Sequence, residues 1–112
     1  MTTMTERVEA GAALLDKRLG TRTWDKRIDL DALNLGSSCN CVLGQLYDGE
    51  ADGESGYVHG QRVLGIDGFG PAGPAEHGFT VPGFGSSAAT WGALTRTWRQ
   101  LIRERIAARK RS

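Results

Sequence analysis

Apolar residues recur at helical intervals near both ends of this chain and lose that period in between. At about 100° per residue, Met4, Val8, Gly11, Ala12, Leu15 and Leu19 share one face, with Glu6, Glu9 and Lys17 elsewhere. Thr3 and Glu6 have the spacing of a capping box, and Gly20 is a natural stop, so a helix is predicted from Thr3 to about Leu19. At the other end, Trp91, Leu94, Trp98, Leu101 and Ile102 form the apolar stripe of a terminal helix beginning after Ser86 or Ser87.

The middle is organised around the stretch from Trp24 to Tyr47, where Trp24, Ile28, Leu30, Leu33, Leu35, Val42, Leu43, Leu46 and Tyr47 crowd together with both cysteines. Ile28 and Leu30, then Leu33 and Leu35, alternate with Asp29, Asp31 and Asn34, with a change of phase near Ala32. No strand partner is evident. The segment is therefore expected to be extended or single-turn and to lie over helices.

Gly36, Ser37, Ser38 and Asn40 offer a turn and helix caps ahead of VLGQLY, whose Val42, Leu43, Leu46 and Tyr47 fall on one side, with Gly44 permitting close helix contact. The acidic, glycine-rich run 48–56 reads as a loop. Tyr57, Gln61 and Leu64 are helically spaced ahead of Gly65, with a strand through RVLGI as the alternative. Residues 67–87 hold all three prolines and Phe69, Phe79 and Phe84, which predicts an ordered loop whose rings return to the core.

The expected architecture is a mainly α single domain, residues 1–112, with N- and C-terminal amphipathic helices around an irregular central segment and a long Gly-rich loop. A chain of 112 residues suits one domain. Its 16 glycines and 39% apolar content imply a small core with much irregular chain around it. Trp91 and Trp98 should be interior, clasped by residues 28–46, leaving arginines outward.

The net charge of +1 gives the whole molecule no polyanion-seeking bias, but it hides an asymmetry. From Trp91 onward, Arg96, Arg99, Arg103, Arg105, Arg109, Lys110 and Arg111 face the single acid Glu104, whereas the preceding part is acidic. Arg96, Arg99, Arg103 and Lys110 share a face beside the apolar stripe and are the candidate partner-binding residues. Arg105 lies on the apolar face itself. Either the helix projects past the core there, or Arg105 meets an acid such as Asp29 or Asp31.

Candidate chemistry is thin. The run from Asp48 to Glu54 begins like an EF-hand, but His59 stands where the bidentate glutamate belongs. Cys39, Cys41, His59 and His77 suffice in number for zinc and lack its spacing; one intervening residue also suits a disulfide poorly, so reduced thiols are expected. Gly68 to Gly73 matches the dinucleotide pattern literally, without its strand or βαβ context, and GFGSS lacks the lysine of a P-loop. No catalytic, cofactor or metal residue is assigned, and the chain is read as non-enzymatic. With neither a signal-like N-terminus nor a continuous apolar run of about 18 residues, the expected location is cytoplasmic, without membrane association.

Taken together, WDKRIDLDALNL, CVLGQLY, EHGF and the terminal WGALTRTWRQLI resemble small uncharacterised proteins of actinobacterial phages and prophages. The resemblance covers most of the chain and is carried by Trp24, Ile28, Leu30, the run from Cys41 to Tyr47, the run from His77 to Phe79, and Trp98. It implies a phage-type accessory protein that binds a host or phage protein partner. The alternatives are nucleic-acid binding through the basic terminal helix, sequestration of a small ligand or nucleotide by the glycine-rich loops, and self-association.

Overall fold

The computed structural model describes residues 3–20, 24–37, 40–47, 55–66, 73–80 and 88–111, and the side chains of 76, 88 and 111 are outside that description. Four α-helices appear among them: α1 (Met4–Leu19), α2 (Val42–Tyr47), α3 (Gly56–Leu64) and α4 (Ala88–Arg111), with 3₁₀ turns at Asp25–Arg27 and Ala75–His77. The fold is mainly helical, with no strand among the described residues. No helix among them is long and apolar enough to cross a membrane.

α1 starts as its sequence dictates. Thr3 Oγ1 accepts from Glu6 N at 3.1 Å while Glu6 Oε1 accepts from Thr3 N at 3.2 Å, which satisfies two otherwise orphaned donors reciprocally. The helix ends at Gly20, whose φ of 90° suits a residue without a Cβ. α3 resolves the ambiguity of RVLGI in favour of helix: Ser55 caps Val58 N at 3.3 Å, and Gly65, in the left-handed region, returns its N–H to Arg62 O.

The central segment is irregular because side chains, not a neighbouring strand, satisfy its backbone. Gln45 accepts from Asp29 N at 2.6 Å and donates to Asp29 O at 3.2 Å and Asn40 O at 3.0 Å. Thr95 accepts from Leu35 N at 3.0 Å while donating to Trp91 O at 2.9 Å. Asp29 and Asn34 bend the chain locally by accepting from amides two residues on, Asp31 N and Gly36 N. Ile28, Leu33 and Leu35 are thereby turned into the core, and Leu30 is half-buried against it.

The core gathers around Trp98, which has no exposed surface. Its ring stacks on Phe79 at 5.4 Å and meets Trp24 edge-on at 6.1 Å, and its Nε1 donates to Gly78 O at 2.6 Å. The turn carrying Phe79 is wedged against α1. A Cβ at Gly11 would stand 2.1 Å from His77 O and 3.0 Å from the Trp98 ring, so only glycine lets these backbones approach. Trp98 is thus enclosed by α1, Trp24 and Phe79, while Trp91, half-buried, lies over Gly36 in the central segment. The expectation that one loop returns its phenylalanines to the core can be followed at Phe79; Phe69 and Phe84 lie outside the described residues.

Candidate partner-binding surface

α4 carries more cations than any other element, and the structure sorts the six whose side chains are described into two groups. The first is internal. The stripe of Trp91, Trp98 and Ile102 continues along the same face as Arg105 and Arg109, one turn apart, and these meet Asp25, a carboxylate with no exposed surface. Arg109 grips it bidentately, Nη1 to Oδ2 and Nη2 to Oδ1, both at 2.8 Å, while Arg105 Nε donates to Oδ2 at 3.1 Å. Arg105 also donates through Nη2 to Asp16 Oδ1 at 2.5 Å, and its guanidinium lies 5.2 Å from the centroid of the Trp24 ring. Trp24 Nε1 completes the cluster by donating to Asp16 at 2.8 Å.

This corrects the pairing expected for Arg105. Its acids are Asp16 and Asp25, not Asp29 or Asp31, both of which are exposed. The 3₁₀ turn at Asp25–Arg27 explains the outcome by seating Trp24 in the core and pointing the next carboxylate at α4. Burial alone would push the Asp25 carboxyl up, but hydrogen bonds and charge from Arg109 and Arg105 outweigh it and hold the group below the usual carboxylate range. The Arg109 guanidinium is correspondingly pushed up by its hydrogen bond to Asp25.

Arg99 is a third internally committed cation. Half-buried, it donates from Nε to Leu30 O at 3.2 Å and from Nη2 to Leu33 O at 3.3 Å, strapping the central segment to α4. The second group is external. Arg96, Arg103 and Lys110 are exposed and meet no acid among the described residues. They lie seven residues apart, so successive charges are about 10.5 Å apart along the helix axis and the row spans about 21 Å. Of the four residues singled out in the sequence, three therefore form one outward row and Arg99 stands at its inner edge.

Beside this row, α1 and α4 run in the same direction, bridged by Thr97 to Met4 and by Arg105 to Asp16, with an open groove of about 990 Å³ between them. Small side chains line much of it, among them Ala12, Ala13, Ala93 and Ala108, with Leu101 the largest apolar contribution.

Other sequence candidates are dispersed. Cys41 is buried and its Sγ accepts from Gly44 N at 3.2 Å, so it acts as a capping group at the start of α2. His77 Nδ1 lies 3.0 Å from Gly73 O within its own turn, and His59 packs edge-on against Tyr47. No cluster of metal-ligating side chains occurs among the described residues. Cys39, the acidic run 48–54, residues 68–72 of the dinucleotide-like run and GFGSS lie outside them. Comparison with protein-family models, curated proteins and solved structures returns no match.

Proposed function

We propose that this chain is a non-enzymatic, phage-type accessory protein that binds a protein partner through the outward face of α4. The observation that carries the reading is the division of labour on that helix. Arg99, Arg105 and Arg109 are committed to backbone carbonyls, buried Asp25 and half-buried Asp16, whereas Arg96, Arg103 and Lys110 are exposed and pair with no acid among the described residues. At about 10.5 Å apart they are separated by slightly more than a Debye length at physiological salt, so the row costs little to maintain. It is complementary to a carboxylate-bearing surface.

Two features favour an acidic protein over other partners. Three cations would neutralise about three phosphates and release correspondingly few counterions, a weak basis for duplex binding, so the row suits a few carboxylates better. An antiparallel two-fold pairing of α4 with a second copy would set the row against itself, which opposes self-association through this face. The phage-type assignment is supported by the sequence motifs alone.

The test compares the native chain with the triple variant R96E/R103E/K110E as bait in a bacterial lysate, followed by purified binding measurements at rising salt. A protein held by the native chain and lost by the variant, with both chains giving the same circular dichroism, is the expected result. Equal recovery by both baits rejects the face. Recovery that disappears on nuclease treatment would reassign the row to nucleic acid.

A further inference from the structure

A second, smaller site is formed where five segments meet. A pocket of about 150 Å³ lies between residues 35–37, Cys41 at the start of α2, Tyr57 in the first turn of α3, residues 79–80, and Trp91 in the first turn of α4. Exposure orders its walls. Leu35, Cys41 and Phe79 are buried and make an apolar floor, while Ser37, Tyr57, Thr80 and Trp91 are half-exposed and stand at the mouth. The floor is fixed by contacts beyond the pocket. Phe79 stacks on Trp98, and Leu35 N is held by Thr95. Such a cavity is formed before anything enters it, which removes much of the ordering cost of binding.

Size and chemistry narrow the occupant. An apolar cavity of about 150 Å³ takes a single benzene-sized ring. The walls include three aromatic side chains, Tyr57, Phe79 and Trp91, and no charged one, which favours a flat, neutral molecule. Hydroxyl groups are confined to the mouth, on Ser37, Tyr57 and Thr80, so a hydrogen-bonding substituent belongs at the outer end of the ring. We infer that this pocket binds one neutral, single-ring aromatic group carrying a hydroxyl, with the ring on Leu35, Phe79 and the Cys41 thiol and the hydroxyl toward Ser37, Tyr57 and Thr80. The same chemistry is presented by a free phenol and by a tyrosine side chain.

The site is separate from the cation row, and its test uses the native chain. Phenol is titrated while amide and indole N–H resonances are followed by NMR. Saturable shifts at Gly36, Ser37, Thr80 and the Trp91 indole are expected, with a Kd on the order of 1 mM, as seven heavy atoms allow. Cyclohexanol, which is not flat, and benzoate, which is charged, should bind at least about tenfold more weakly. Tyr57→Phe should weaken phenol several-fold and leave benzene unchanged. N-acetyl-tyrosinamide distinguishes the sources: binding comparable to phenol identifies a polypeptide tyrosine as an occupant, and binding of phenol alone identifies a free small molecule. Absence of saturable shifts at these residues, or equal binding of cyclohexanol or benzoate, overturns the inference. The triple charge variant of α4 should bind phenol unchanged, which keeps this result independent of the partner surface.

Discussion

Asp25 is the residue whose replacement most sharply tests how the fold is held together. Asp25→Asn keeps the shape and removes the charge, leaving Arg105 with Asp16 as its remaining acid and Arg109 without its bidentate partner. Breaking a fully buried ion pair costs about 3 to 5 kcal/mol because the orphaned charge stays desolvated. Here the arginines retain 24% and 18% side-chain exposure and can recover some hydration, so the expected loss is lower, about 2 to 3 kcal/mol. For a domain of this size that corresponds to a fall in Tm of roughly 8 to 15 °C. Urea unfolding is the appropriate assay, with the midpoint falling at unchanged m-value. Asp16→Asn, at a carboxylate 24% exposed, should cost no more than about 1 kcal/mol. A loss at Asp25→Asn below about 0.5 kcal/mol, or one no larger than that at Asp16→Asn, would refute the view that the buried carboxylate organises the cluster.

The same group sets an acid limit. Because its folded pKa is lowered from the ordinary 3.8, its contribution is present above that value and is lost as pH falls through the lower folded value, so stability against pH should drop more steeply below about 4 in the native chain than in Asp25→Asn. Burial, reinforced by nearby Cys41 and opposed by hydrogen bonds to Thr80 and Gln61, raises the Tyr57 pKa. Its stabilising contribution should therefore disappear as pH rises above about 10, and Tyr57→Phe should flatten that alkaline limb in thermal melts. Gly11→Ala should cost about 2 to 3 kcal/mol because its methyl meets the backbone oxygen of His77; at Gly60, where the nearest atom at 2.7 Å belongs to the Tyr47 ring, the cost should be nearer 1 kcal/mol by urea unfolding. Arg99→Ala should raise amide hydrogen exchange across residues 30–35, whereas Arg96→Ala should leave exchange and stability within about 0.5 kcal/mol of native.

Both end helices were legible because their signals are local. The Thr3 and Glu6 box, the stop at Gly20 and the stripe of Leu94, Trp98 and Ile102 each depend on residues within a few turns. The central segment was legible in outline: alternation identified Ile28, Leu33 and Leu35 as core, and the absence of a strand partner pointed to irregular chain. What satisfies its backbone was hidden, since Gln45, Thr95 and Arg99 reach it from 16 to 69 residues away. The Asp25 cluster was half visible. Arg105 on the apolar face of α4 signals that an acid must be brought to it, but which acid depends on the turn after Trp24, and the part played by Arg109 was not read. The outward row was legible as a face of Arg96, Arg99, Arg103 and Lys110, and only the structure removes Arg99 from it, by its bonds to Leu30 and Leu33. The small aromatic pocket has no counterpart in any motif, because its walls come from five separate segments.

The Asp25 cluster also orders events during synthesis. Its carboxylates leave the ribosome before the guanidinium groups that neutralise them, which lie 80 to 89 positions later. Until those late residues leave the ribosome, sealing Trp24 and its neighbour away from solvent would trap an unneutralised anion, so nascent chains should stay open and sensitive to protease. Premature termination upstream of Arg105 should consequently yield fragments that are cleared rather than partly functional, making closure of this core a checkpoint on synthesis of α4.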